Sequence, residues 1–312
     1  MNTMKLKYLF FIAIMLGLCS CKKENRLKLD ELDFDVTANT TEIAVNQSVN
    51  FRFSGDAELL SFYSGEFLNS YNFKDGRTLD VTGAQTISFT SAVTGGAQTN
   101  QLSILVSTNF DGNYQSITSV NQANWIDITS RFTLGTTNTF LSSGEKDISD
   151  IYEADRPLYI AYKYNTRSQL DFGDARTWMI QDFKIQGQTE QGKQLLINLK
   201  EAGFRIVDEN LTTHPARAAI SSSRITMLGN EYTDSWSPEG YHWAISKPMH
   251  LNKLDLGPDR AIAIKGSGNP MPEVYTYKFT KAGTYEVKFV GAVQNINKRE
   301  ELVKTITITV KP

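Results

Sequence analysis

Residues 43–65 read IAVNQSVNFRFSGDAELLSFYSG. Residues 275–295 read YTYKFTKAGTYEVKFVGAVQN, and KTITITV at 304–310 completes the series. Both regions alternate apolar and polar side chains. Val49, Phe51 and Phe53 are separated by Asn50 and Arg52; Tyr285, Val287 and Phe289 face away from Thr284, Glu286 and Lys288; Ile306, Ile308 and Val310 alternate with threonines. A strand turns successive side chains to opposite faces, so this alternation predicts half-buried strands with an apolar face on a core and a polar face in water. The first region and its flank offer strands at 34–38, 42–45, 49–54 and 60–63; the second offers 274–279, 285–290 and 303–310. Neither set alone buries both sheets of a sandwich, whereas the seven together do.

Between the two regions lies a second series of strands, at 85–91, 101–106, 125–128, 157–163, 177–185, 218–227, 242–247 and 261–265. Eight strands with polar turns suit a jelly-roll sandwich. A short helix near 190–202 competes with a strand at 195–199. The predicted fold class is all-β, with one sandwich interrupted by another. Such an insertion is physically inexpensive because loop ends lie close together and closure entropy grows slowly with loop length.

The two outer regions resemble the opening and closing halves of a polycystic-kidney-disease (PKD) type immunoglobulin-like domain. Those halves are contiguous in that family, and their separation here implies the inserted domain. LSILVSTNFDGNY at 102–114, ANWIDIT at 123–129, SGEKDIS at 143–149, PLYIAYKY at 157–164 and TWMIQDFKI at 177–185 resemble the jelly-roll modules of surface adhesins and carbohydrate-binding proteins. Taken whole, the chain resembles an uncharacterised family of Bacteroidota surface lipoproteins, the type 5017 domain of unknown function. Its members often lie among polysaccharide-uptake proteins. The resulting plan is a signal at 1–20, a tether at 21–33, the split immunoglobulin-like domain at 34–70 plus 271–312, and the jelly-roll insert at 71–270.

The N-terminus carries the layout of an export signal: Lys5 and Lys7, an apolar run from Tyr8 to Leu18, and then Leu18-Cys19-Ser20-Cys21. The run is shorter than the ~20 residues a helix needs to span a bilayer. The last four residues resemble the bacterial lipobox, which implies cleavage before Cys21, lipid on its thiol and acylation of its amino group. Cys19 leaves with the signal, so the mature chain has one cysteine and no intramolecular disulfide. Lys22-Lys23-Glu24-Asn25-Arg26-Leu27-Lys28 is too polar to fold alone and reads as a tether. The expected location is the outer membrane, held by lipid and facing the cell exterior.

A net charge of −2 and a pI near 6.0 lack the basic surface that nucleic acid requires. No metalloprotease, hydrolase-elbow or phosphate-loop motif occurs in the sequence. His242 and His250 would lie roughly 26 Å apart along an extended chain, and His214 is remote in sequence. No metal site is therefore predicted from histidine. Asp171, Asp174 and Asp182 read as a polar loop and one strand charge. Asn109-Phe110-Asp111-Gly112-Asn113 fits either a calcium loop or a plain Asp-Gly turn.

Aromatic side chains remain. Sugar rings present C–H faces that stack on Trp and Tyr. Trp125, Trp178 and Trp243 sit in strand patterns and are expected in the core. Trp236, with Tyr232 and Tyr241 beside it, falls in the polar loop NEYTDSWSPEGY and is either a plug on the core or a binding platform. No catalytic residue and no cofactor is assigned. The leading expectation is a non-catalytic, lipid-anchored glycan-binding protein beside an outer-membrane uptake complex. The alternatives are a protein-interaction or adhesion lipoprotein, and a glycosidase with two carboxylates about 5–10 Å apart in a cleft.

Overall fold

The computed structural model describes residue 29 and residues 31–209, 217–229 and 240–312. Cys21, the tether, His214, Tyr232 and Trp236 lie outside the described residues. The chain forms two compact units, Met1–Arg77 with Gly257–Pro312, and Thr78–Leu256. The regular structure of both is mostly strand.

The first unit begins with β1 (Asp33–Ala38), β2 (Glu42–Ala44), β3 (Ser48–Asp56) and β4 (Leu59–Tyr63). The second unit follows as β5 (Arg77–Asp80), β6 (Gln85–Thr94), β7 (Leu102–Ser107), β8 (Ile126–Asp127), β9 (Leu141–Ser142), β10 (Lys146–Asp147), β11 (Tyr159–Thr166), β12 (Thr177–Thr189), β13 (Gly192–Asn198), β14 (Arg205–Asp208), β15 (Ala219–Ile220), β16 (Ile225–Met227), β17 (Gly240–Ile245) and β18 (Lys253–Gly257). The chain then returns to the first unit with β19 (Ile262–Lys265), β20 (Val274–Lys278), β21 (Gly283–Gln294) and β22 (Arg299–Lys311).

In the first unit one sheet has the order β1-β3-β20 and the other β19-β4-β21-β22-β2. Strands from both ends of the sequence are neighbours in each. Lys278 pairs with Ser48, and Phe289 pairs with Phe62. The alternation read from the sequence fills the space between the sheets: Phe34, Val49 and Phe51 meet Phe62, Val287, Phe289 and Ile308 in one buried cluster. Phe51 stands edge-on to Phe289 at 4.9 Å, a favourable arrangement of ring quadrupoles. Gly291 is required here, because a Cβ on it would stand 2.3 Å from the Phe34 ring. The strand near 261–265, expected in the insert, belongs instead to this unit as β19, where Ile262 pairs with Phe62. Alternation shows that a strand exists but not which sheet accepts its edge.

The second unit is a sandwich of β10-β6-β12-β16-β15, with β9 and β13 on its flanks, against β14-β17-β11-β7-β8. Ile87, Phe89, Ile180, Phe183 and Ile185 of the first sheet meet Ile104, Ile160, Tyr162, Tyr164 and Ala244 of the second. The ambiguous segment at 190–202 resolves into strand β13 and a single helical turn, Leu199–Ala202, started by an Asn198–Glu201 capping box. The unit closes on a two-stranded ribbon of β5 and β18, where Val81 N–H donates to Asn252 O at 2.9 Å.

Within the first unit the two crossings are clasped. Arg77 Nε and Nη2 donate to the two carboxylate oxygens of Asp259 at 2.8 and 2.7 Å, with the guanidinium 3.6 Å from the Phe73 ring centroid. Both side chains are buried. Burial alone would raise the Asp259 carboxyl; the Arg77 hydrogen bonds, the Ser70 N–H and the Arg77 charge outweigh it and hold the group below its ordinary value. Its contribution to stability is therefore present above the unfolded carboxyl pKa, near 3.9, and lost as pH falls through the lower folded value. Removing one partner strands a buried charge, so Arg77→Ala or Asp259→Ala should each cost about 3–5 kcal/mol in denaturant unfolding. A loss under about 1 kcal/mol in both would show the clasp to be dispensable.

Candidate functional site

Strand pairing gives the insert two distinct ends. At one end Gln85 lies opposite Gly187, and Thr82 N–H donates to Gln188 O; this is the end where the chain enters and leaves. At the other end Thr94 lies opposite Thr177, Thr166 opposite Gly240, and Trp178 opposite Met227. The two sheets are tied together there by Tyr164, whose hydroxyl donates to Arg176 O at 2.6 Å. Loops distal to a scaffold's attachment are where binding groups gather on β-sandwiches.

The five-stranded sheet also carries apolar side chains on its outer face. Tyr159 and Ala161 of β11, Trp243 and Ile245 of β17, and Leu105 of β7 form a second cluster with Phe110 and Val120. The segment over them includes a short helix, Ile117–Gln122, that period-two reading missed because it spans under two turns. Trp125 packs on Trp243 at 5.3 Å and donates its indole N–H to Val120 O at 2.8 Å. Trp243 is buried, whereas Trp125 and Trp178 are half-buried, so the expectation of three core tryptophans holds fully for Trp243 alone.

Lys163 occupies the same outer face next to Tyr241. Its ammonium lies 3.7 Å from the Tyr241 ring centroid and 4.9 Å from that of Trp243. Partial burial lowers its pKa below the ordinary lysine value, opposed by the carboxylates of Glu209 and Asp127. Tyr241 itself is 37% exposed, and its backbone N–H donates to Glu209 Oε2 at 2.9 Å. The result is a half-open aromatic surface carrying one cation and two carboxylates. Of the three aromatic residues proposed from sequence, Tyr241 is the described one. Lys163 was missed, although a lysine between Tyr162 and Tyr164 in an apolar strand is itself a signal. Nearby, Leu170 and Phe172 are exposed on the 167–176 loop, with Arg167 4.3 Å from the Phe172 ring.

The remaining candidates take structural roles. Asp111 Oδ1 accepts from Asn113 N–H, and Asn109 Oδ1 accepts from Asn124 N–H and the Ser107 hydroxyl, so these oxygens organise turns. Asp182 sits at a β-bulge with φ of 52° and accepts from Thr90. Among the described residues no group of three His, Cys, Asp or Glu is placed to hold a metal ion.

The model of a domain of unknown function, DUF5017, matches residues 20–204. That is more than half of the chain. The chain belongs to the DUF5017 family. No curated protein matches it. The DUF5017 match includes Trp125 and Lys163 and stops before β14 and β17, which bring Glu209 and Tyr241 to the same face.

Behind this face, on the inner side of β17, His242 is fully buried and stacks on Tyr164 with ring centroids 4.7 Å apart. Burial lowers its pKa from 6.5 to about 4, against the opposing charge of Asp208. A neutral histidine with a depressed folded pKa stabilises fully above pH 6.5 and loses that contribution as pH falls towards 4. The melting temperature of the protein should therefore decline between those values, and the decline should flatten in His242→Gln. An identical pH profile in the variant would show that this imidazole does not titrate on unfolding.

Proposed function

We propose that this chain is a non-catalytic surface binding protein, held to the outer membrane by lipid on Cys21, that takes glycan at the distal end of its inserted sandwich beside a polysaccharide-uptake complex. The observation that carries the reading is the Lys163–Tyr241–Trp243 surface flanked by Asp127 and Glu209. An exposed ring offers a stacking face for sugar C–H groups, and the adjoining ammonium and carboxylates offer a donor and acceptors for hydroxyls. Such a surface needs no movement of a catalytic base, which fits a role of capture. The export layout of residues 1–21 supports delivery to the cell exterior.

The reading is tested by screening residues 22–312 against a polysaccharide panel with Tyr241→Ala and Trp236→Ala alongside. Tyr241→Ala should weaken the best binder at least tenfold, about 1.4 kcal/mol, with an unchanged melting temperature. Absence of binding to every polysaccharide would turn the reading to protein interaction, for which Leu170, 73% exposed beside Phe172, is the specific support.

A further inference from the structure

The two ends of the first sandwich differ in what the chain does there. Strand β4 leaves for the insert at Tyr63, and β19 returns with Ile262 opposite Phe62, so both crossings lie at one end. At the other end Asp33 lies opposite Asp56, Leu59 lies opposite Ala292, and Gln294 N–H donates to Glu58 Oε2 at 2.9 Å. A cavity of about 540 Å³ at that end is lined by Glu31, Asp56, Glu58, Lys265 and Val293, among others. The residues that follow the tether and the tip of the long β21–β22 hairpin therefore share one end of the sandwich. Glu31 is ten positions past Cys21, a reach of at most about 36 Å for any path of the chain.

The hairpin tip reads Asn295-Ile296-Asn297-Lys298. Ile296 is 91% exposed, more than any other large apolar side chain among the described residues. A single exposed aliphatic group needs no explanation by itself, but the surroundings of this one suit it to leave water. Asn295 N–H donates to Lys298 O at 2.9 Å, and Asn295 Oδ1 accepts from the N–H groups of Asn297 and Lys298, both at 2.8 Å. Three of the four backbone N–H groups of the turn are thus bonded within it, so drying the tip strands few of them. The charges just behind the tip are paired, Lys298 with Glu300 and Arg299 with Glu301. An apolar point backed by basic side chains matches a lipid interface, where the aliphatic group enters the acyl boundary while Lys and Arg reach the headgroups.

We infer that Ile296 is a membrane-contacting tip: it seats in the bilayer surface that holds the lipid of Cys21, and it turns the Tyr63 end of the first sandwich, from which the insert departs, towards solution. The inference rests on the lipid anchor proposed above and adds to it the part of the fold that meets the membrane. One side chain cannot anchor a domain. Attachment at Cys21 keeps the tip at high effective concentration beside lipid, however, and a weak contact is then enough to orient the sandwich. Three carboxylates against one lysine line the adjoining cavity, and the tip's own charges cancel, so the surface fits zwitterionic lipid and not anionic lipid.

The experiment uses the full chain, lipidated on Cys21 and reconstituted into phosphatidylcholine vesicles, with the mass of its N-terminal peptide read first. With Cys21 acylated and Cys19 removed, Ile296→Cys supplies the sole thiol for an environment-sensitive fluorophore. Its emission should shift to the blue relative to the same label on the soluble 22–312 fragment, and nitroxide on the lipid acyl chains should quench it. A label at Lys281→Cys, just before the other end of β21, should do neither. With the label at Asn269→Cys, beside the cavity, nitroxide on the lipid headgroups should quench the parent chain and quench Ile296→Asp less. All three positions are exposed, so the melting temperature should not move. With Cys21 acylated, a response at position 296 no greater than at 281, or Asn269 quenching that Ile296→Asp leaves unchanged, would overturn the membrane tip and leave the anchor standing. An N-terminal peptide without lipid would overturn both.

Discussion

The buried pair of Arg77 and Asp259 is the constraint on which closure of the split first unit depends. One partner is the last residue of the first unit before the chain leaves it, and the other follows just after the chain returns. Two parallel hydrogen bonds and two flanking phenylalanine rings fix that junction. The insert brings its own ends together through the β5–β18 ribbon, so the gap across which the first unit closes is short. A buried ion pair is seldom a net gain over apolar packing. Its value here is geometric, because bidentate pairing admits one relative placement of the two chain segments that carry it.

The end of the insert away from its chain entry carries its half-open aromatic surface. The sheet β14-β17-β11-β7-β8 has apolar side chains on both faces, an inner set in the main core and an outer set under the segment that carries Phe110, Tyr114 and Trp125. Strand β17 makes this explicit: His242 and Ala244 point inward, while Tyr241, Trp243 and Ile245 point outward. A strand loaded on both faces places a half-open aromatic surface and the buried His242–Tyr164 stack back to back, one residue apart.

Period two made the strands of both units readable, because each is half-buried and its pattern records which side faces the core. The seven outer strands, the all-β class and the interruption by a second series all follow from that pattern. Pattern did not reveal edges: β19 reads as a short apolar run like a strand of the insert and pairs with β4. Very short pieces were also invisible, including β9 and the helix Ile117–Gln122, because they hold too few residues to display a period. Tyr241 was legible as an aromatic next to a polar loop. Lys163 and Glu209 were not, since each acquires its role from partners 32 to 80 residues away in sequence, such as Tyr241 for Glu209.

By itself, then, the sequence determined the strand content, the alternation that builds two apolar cores, the split of the first sandwich around the second, and the layout of an export signal ending at Cys21. These are properties of neighbouring residues, set by the two-residue repeat of the extended chain and by local composition. Tertiary structure alone decided that Arg77 meets Asp259, that Lys163 lies over Tyr241, and that Gln101 and His242 meet Tyr164. Such encounters depend on register between strands distant in sequence, and a shift of one residue would carry each side chain to the opposite face.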